Sequence, residues 1–342
     1  MRAAVLRQGV MVVDEVPDPI PGMGQVLVRT LACGVCGSDL HFVKHGRRIT
    51  ELGARMGTAD RLDFDRDIFM GHEFSAEVLD AGPDTVAPRP GSVVTSMPGM
   101  ITLEGPKNLA YTNEFPAGYS EMMLLSAPLL LAVPNGLDPR HAALTEPMAV
   151  GLHAVTRSGV RPGEAALVFG CGPVGLAVIA SLHTRGVEPI VATDFSATRR
   201  RLAATMGAHQ VVDPRVEAGI EAWRRLDGIQ PLVIFEAVGV PGMLESALED
   251  APPGARILIV GVCMETDNVV PIFGILKELS IQFALGYDPM EFAESLRAIA
   301  EGEVDVAPLI TASVGLDGLP GAFEMLANPE THGKILMEPG GR

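Results

Sequence analysis

Gly34-Val35-Cys36-Gly37-Ser38-Asp39-Leu40-His41 brings a thiol, a hydroxyl, a carboxylate and an imidazole together in one short stretch. Glycines on both sides of the thiol let the backbone turn sharply. A soft anionic ligand beside a hydroxyl and a group titrating near neutrality is what a metal-bound alcohol needs in order to lose a proton. Taken alone, the stretch also fits a plainer reading in which Cys36 is a small buried apolar residue. Further along the chain, Met70-Gly71-His72-Glu73-Phe74 adds an imidazole and a carboxylate, and Glu146 opens a helical pattern. Thiolate, imidazole and carboxylate are all good zinc ligands.

A second constellation is Gly170-Cys171-Gly172-Pro173-Val174-Gly175, a G-x-G-x-x-G that follows an apolar strand pattern and opens a helix. Such glycines permit a tight turn and a close approach of backbone to pyrophosphate, which then sits on the positive end of the helix. Asp194 closes the next strand, about twenty residues on, where a carboxylate hydrogen-bonds a ribose hydroxyl and repels a 2′-phosphate. NAD is therefore favoured. Arg199, Arg200 and Arg201 follow on a helix, either as a solvated face or with one of them, Arg199, reaching an adenosine phosphate, which keeps NADP open. Cys171 contributes backbone to the turn, so its thiol is incidental.

The elements that must position these groups fall into two textures. Residues 1–31 read as short strands (RAAVLR, VMVVDEV, QVLVRTL) broken by the turn-rich PDPIPGMG. The cysteine motif follows on a loop or short helical turn, because Gly34 and Gly37 discourage regular structure. Residues 42–70 read as charged and irregular, with a short helix near Ile49–Met56 and no core strand. From Pro139 the spacing turns helical, with Gly159 as a stop. After that, strands (EAALVFG, PIVATD, HQVVDP, PLVIFEAVG, ARILIVGV, SIQFAL) alternate with helices such as SATRRRLAATMG, which Ser196 caps and Gly207 ends. Nearly continuous β-branched runs predict a parallel sheet buried on both faces, so the fold class is α/β, a doubly wound sheet beside a mainly-β part. The last fifty residues predict the helix EFAESLRAIAEG, a short helix near 319–327 and a final strand, KILMEP.

Composition bounds the function. With 342 residues the chain is comfortable for two domains. An apolar share of 47% against 20% charged residues is that of a folded protein. A net charge of -16 argues against nucleic acid, which wants clustered Lys and Arg. Cysteines at 33, 36, 171 and 263 are too scattered for a disulfide scaffold and point to a reduced, cytoplasmic setting. Acids at 14 and 15 interrupt any export signal. Ala165 to Leu182 carries no charge, but glycines and a proline in its middle make it a buried strand, turn and helix and not a membrane span.

G-V-C-G-S-D-L-H, then G-H-E, then E-P at a helix, then the glycine fingerprint, together resemble the zinc-dependent medium-chain alcohol and polyol dehydrogenase family over nearly the whole chain. The resemblance implies a GroES-like catalytic domain over 1–147, a Rossmann NAD-binding domain over 148–288, and a return of 289–342 to the catalytic domain. It implies Cys36, His72 and Glu146 as catalytic zinc ligands. Glu73 is then a neighbouring carboxylate able to approach the metal, and Asp39 orients the ligands. For Glu146, a helix-start carboxylate interacting with the dipole is the competing reading, while His141 and His153 beside it read as structural. Ser38 is implied as the group that takes the alcohol proton and passes it through the cofactor ribose towards His41.

Gly261 and Val262 are implied beside the nicotinamide, with Cys263 either near it or a small buried residue. Lys334 has two open readings, a pyrophosphate contact or a solvated strand lysine. The chain departs from the family pattern in having no cysteines in Ser96–Phe115. One zinc per chain is therefore expected, without a structural zinc, and Met97, Met100, Leu103 and Tyr111 are expected to pack that lobe. It departs again in a longer segment between Cys36 and His72, whose tail could line the substrate cleft. The implied activity is reversible oxidation of a secondary or bulky alcohol to the ketone or aldehyde, with polyols as the alternative. A zinc-free quinone reductase or a non-catalytic member of the fold are the rivals. A homodimer or homotetramer is implied, with VVPIF and FALGY at a sheet-extending interface and no membrane partner.

Overall fold

Strand Ala165–Phe169 is buried along its whole length, and its side chains divide by parity. Ala166 and Val168 enter one apolar core, whereas Ala165, Leu167 and Phe169 enter another. A strand covered on both faces needs helices on both sides of its sheet. The computed structural model, which describes residues 1–57, 62–226, 229–326 and 332–341, has that arrangement. Six strands form a parallel sheet in the spatial order Gln210–Val212, Ile190–Thr193, Ala165–Phe169, Leu232–Glu236, Arg256–Ile259, Ser280–Phe283. The order reverses next to Ala165–Phe169, and a crevice opens at such a point beyond the carboxyl ends of the strands. All six are strands expected from the apolar runs. The uncharged stretch at 165–182 resolves into strand, glycine turn and the helix Pro173–Thr184. No helix among the described residues is long and apolar enough to cross a membrane.

The remaining strands build two antiparallel-rich sheets and one separate two-stranded hairpin. One runs Val10–Glu15, Arg2–Arg7, Ile68–Met70, Tyr111–Thr112. The other runs Leu130–Ala132, Val93–Ser96, Glu73–Ala81, Gln25–Gly34, Lys334–Met337, Ile310–Val314, with Met122–Ser126 also paired to Gln25–Gly34. The last strand therefore inserts beside the third of the chain, with Leu336 opposite Gly34 and Met337 opposite Cys33. The helix Leu319–Leu326 agrees with the expected short helix, whose residue 327 lies outside the described residues.

Three expectations need correction. The cysteine motif, expected on a loop or short helical turn, opens a far longer element: Cys36 is the N-cap of a 20-residue helix, Gly37–Met56. Glycines at 37, 46 and 53 lower helix propensity by about 1 kcal/mol each, and tertiary packing outweighs them. Gly46 lies under the rings of Phe42 and Phe64, where a methyl group would come within 3.1 Å. Gly57 then ends the helix in the left-handed conformation. Second, Ile68–Met70 is a buried strand inside the segment read as having none. Third, the lobe at 96–115 is packed by Met100, which is buried, and not by Leu103, which stands fully exposed at the tip of the hairpin Gly99–Thr102/Gly105–Asn108.

Candidate active site

Each donor is placed by an element end. Cys36 stands at the start of the long helix, and the Asp39 carboxylate turns back to accept from the Cys36 backbone N–H at 3.1 Å. His72 and Glu73 lead into strand Glu73–Ala81 after a turn at Gly71, whose φ of +97° favours glycine. A methyl at Gly71 would also meet the Tyr119 backbone nitrogen at 2.7 Å. The thiol of Cys36, the imidazole of His72 and a carboxylate oxygen of Glu73 all lie within 4.8 Å of one another. Gly34 makes room for that carboxylate, because a methyl on Gly34 would occupy the place of Glu73 Oε2.

Glu146 stands outside this cluster. It lies in the first turn of helix Thr145–Ser158 and hydrogen-bonds Tyr287. Burial pushes its carboxyl up to about 7, against the pull of the His72 and Lys334 charges. The geometry thus ranks Glu73 ahead of Glu146 as the carboxylate nearest the thiol and imidazole.

Behind the donors is a buried polar frame. The Tyr119 hydroxyl donates to Asp39 Oδ2 at 2.6 Å and approaches the Gly34 carbonyl at 3.3 Å. Asp39 Oδ1 faces His72 Nδ1 at 3.5 Å, and neither atom has another partner among the described residues. Burial lowers the tendency of His72 to protonate, but Asp39, Cys36 and Glu146 outweigh it and raise the pKa well above the ordinary value. A histidine drawn towards the cationic form by surrounding thiol and carboxylates marks a cradle built for positive charge. A thiolate, an imidazole and a carboxylate fit zinc, with the fourth position left for water or substrate. A carboxylate behind the imidazole fixes its tautomer and orientation.

Ser38 Oγ is 3.4 Å from His72 Nε2 and accepts a hydrogen bond from the Tyr111 hydroxyl at 2.9 Å. Tyr111 therefore serves the site with its hydroxyl while its ring packs against the core beside the lobe, as expected. Its ring lies on Phe42 with 4.1 Å between centroids. His41 follows Ser38 by about one helical turn, and its ring stacks with His45 at 6.5 Å. Burial, with the nearby His45 and Lys44, lowers its pKa. His153 pairs with Glu291 at 2.7 Å, away from the donors.

Neither reading of Lys334 describes the residue. The residue is 2% exposed and its ammonium lies 2.7 Å from both oxygens of Glu73. No local pattern marked it, because its partner sits 261 positions earlier in the chain. The sequence reading also passed over the buried residues Tyr119 and Tyr287, for the same reason.

At the other crevice wall, Gly170 takes φ +87°, Gly172 caps helix Pro173–Thr184, and Pro173 opens it. Val174 follows in the first turn, and Gly175 packs against the Gly170 carbonyl. Asp194 accepts from the Cys171 and Ser196 backbone N–H groups at 2.8 and 2.7 Å, which holds its carboxylate at the mouth of the glycine turn. Of the three arginines, Arg200 binds the Asp194 carbonyl and Asp213, and Arg201 binds Thr198. Arg199 reaches the turn, its guanidinium 4.0 Å from where a Gly172 methyl would sit, and its Nε has no partner among the described residues. An uncommitted cation beside backbone N–H groups suits a phosphate.

Gly261 and Val262 close the same crevice. The Glu236 carboxylate accepts from Val238 and Gly239 at 2.7 and 2.9 Å, while its backbone carbonyl accepts from Val260 and Gly261. One residue thereby ties the two loops together. Cys263 is half-buried, with its thiol near the Glu265 carbonyl. Cys171 is buried and burial raises its thiol pKa, so it is inert.

Residues 22–135 match the alcohol dehydrogenase GroES-like domain family, and residues 173–301 match the zinc-binding dehydrogenase family. The (R,R)-butanediol dehydrogenase of Bacillus subtilis (strain 168) is 30% identical over 339 residues, covering 96% of each chain. A crystal structure of 2R,3R-butanediol dehydrogenase from Bacillus subtilis superimposes with a TM-score of 0.83 at 28% identity, over 99% of each chain. The sorbitol dehydrogenase of Bacillus subtilis (strain 168) is 26% identical, covering 95% of this chain and 93% of the relative. A Sinorhizobium meliloti 1021 structure bound to NADP has a TM-score of 0.84 at 26% identity, over 99% of each chain.

Proposed function

Because the chain belongs to the zinc-binding dehydrogenases with a GroES-like domain, the oxidoreductases of the alcohol and polyol dehydrogenase family, we propose that it oxidises a secondary alcohol of a small diol or polyol reversibly to the ketone. The observation that carries this reading is the convergence of Cys36, His72 and Glu73 within 4.8 Å, with the Ser38 hydroxyl 3.4 Å from His72. Butanediol and sorbitol, named for two relatives, each present a secondary hydroxyl beside a second one.

Cys36, His72 and Glu73 would hold one zinc per chain, with Glu146 close by as a further carboxylate. When bound, zinc supplies Lewis acidity that lowers an alcohol's pKa, and the nicotinamide accepts a hydride. Asp39 fixes the His72 ring so that Nε2 faces the thiol and Ser38. Ser38 Oγ accepts the alcohol proton as its own hydroxyl proton is passed on towards His41, and the Tyr111 O–H···Oγ hydrogen bond holds that oxygen in place. His41, further along the same helix, is the outer member of the proton path to solvent. Gly170, Gly172, Pro173, Val174 and Gly175 admit the pyrophosphate, Asp194 meets the ribose, Arg199 a phosphate, and Gly261 and Val262 bound the nicotinamide.

NAD is the preferred cofactor on the strength of Asp194. NADP is the second reading, favoured by the unpaired Arg199 Nε and the NADP-bound relative. A panel of diols, polyols and simple alcohols with each cofactor, followed by the absorbance of the reduced form and paired with zinc analysis, tests both. Turnover of a vicinal diol with NAD and about one zinc per chain are expected. Purified protein that holds no zinc, or that reduces quinones and leaves alcohols untouched, would remove the proposal.

The domain division 1–147, 148–288 and 289–342 is supported by sheet membership, since the strands at 310–314 and 334–337 join the N-terminal sheet. A cytoplasmic setting is supported by the unpaired cysteines. A homo-oligomer is supported by the edge strand Ser280–Phe283, exposed throughout, beside exposed Ile275, Leu276 and Leu285. Sedimentation should give a mass of two or four chains, and a single-chain mass at micromolar concentration would refute it.

A further inference from the structure

Lys334 is the buried charge that the proposed chemistry leaves unused. Its Nζ is 2.7 Å from both oxygens of Glu73 and 3.2 Å from the Val35 carbonyl. Both partners are withdrawn from water, Lys334 at 2% exposure and Glu73 at 0%. Desolvating two such groups is costly, and only close geometry offsets it. Here the geometry is close on every side, since Gly34 leaves the space that Glu73 Oε2 fills. The same carboxylate lies within 4.8 Å of the Cys36 and His72 donors. Glu73 therefore stands between two claims on its charge, an ammonium already in contact and a divalent ion in the cradle. It cannot satisfy both fully, and the ammonium also repels the ion.

We propose that Lys334 is a positioning residue that restrains Glu73 and thereby weakens the grip of the cradle on zinc. The inference rests on the reading that Cys36, His72 and Glu73 hold the metal. Its consequence runs against the usual effect of deleting a supporting residue, which costs metal affinity. Removing the ammonium frees Glu73 to bind only the ion and removes a like charge from beside it. Zinc should then bind more tightly while the zinc-free protein becomes less stable, because Glu73 is left buried without a counter-charge.

Metal-stripped full-length protein titrated with zinc against a chromophoric chelator at fixed pH separates the possibilities. Lys334→Met is expected to lower the zinc dissociation constant about tenfold and to lower the melting temperature of the zinc-free form. Lys334→Arg, which keeps the charge, should stay near the wild-type affinity. Unchanged or weaker zinc binding in Lys334→Met would overturn the inference and leave the site reading standing. A wild-type chain that takes up no zinc would overturn both. Should Lys334→Met fail to fold, Glu73→Gln and Glu73→Gln/Lys334→Met supply the comparison. With the carboxylate gone the ammonium faces the ion uncompensated, so the double variant must bind zinc more tightly than the single one, and equal or reversed affinities would overturn the inference.

Discussion

Cys36→Ser should leave a folded protein that no longer retains zinc, with kcat/KM for alcohol oxidation lowered about a thousandfold or more. The size follows from the several kcal/mol of charge stabilisation that a Lewis-acid metal supplies, about 4 kcal/mol corresponding to three orders of magnitude. A serine hydroxyl stays protonated at neutral pH and cannot replace a thiolate as a zinc ligand. The substitution is mild for the fold. Cys36 is the N-cap of helix Gly37–Met56, and serine is among the favoured residues there. The Asp39 bond to position 36 uses the backbone N–H and survives. Nicotinamide binding should persist, because the glycine turn shares no residue with the cradle. Zinc content by atomic absorption, cofactor binding by fluorescence of the reduced form, and steady-state kinetics together check the result. Retention of both zinc and turnover would contradict the assignment of Cys36.

Gly175→Ala should damage stability and cofactor binding together, whereas Gly172→Ala should damage binding alone. A methyl at Gly175 runs into the backbone carbonyl of Gly170, which no side-chain rotation can relieve. Overpacking of this kind costs about 1–3 kcal/mol, and more where backbone must move. At Gly172 the same methyl meets only the tip of Arg199, at 4.0 Å, and the backbone there (φ -69°, ψ 178°) is open to alanine. That surface is where backbone and pyrophosphate must approach closely, so the penalty appears only with the cofactor. Cofactor affinity should fall about tenfold or more in both variants, with a lowered melting temperature in Gly175→Ala only. Equal melting temperatures for the two variants would show that the turn tolerates the methyl and that the packing argument fails.

What could be read from the chain was the local chemistry. The glycine turn, Asp194 and the six strands of the parallel sheet are specified by residues near one another in sequence, whose periodicity and spacing carry the information. Cys36, His72, Ser38 and Asp39 were found because such residue types are uncommon in company. The helix Gly37–Met56 is not legible at full length because Gly34 and Gly37 weigh against it locally, while the packing of Gly46 beneath Phe42 and Phe64 is a tertiary fact. The places of Lys334, Tyr111 and Tyr119 beside the donors are not legible locally for the same kind of reason. Each arrives from a strand or loop remote in sequence, and an isolated lysine or tyrosine carries no mark of its destination. That Glu73 and not Glu146 joins the thiol and the imidazole within 4.8 Å is likewise a tertiary fact.

The insertion of Lys334–Met337 beside Gln25–Gly34 has a bearing on biosynthesis. The parallel sheet between them has all its strands before the ribosome has made the segment that neutralises Glu73. Until that segment emerges, the N-terminal sheet lacks a neighbour and its acid lacks a counter-ion. The cradle thereby reaches its finished packing, with Glu73 held by its ammonium, only in polypeptides that have been synthesised through residue 337.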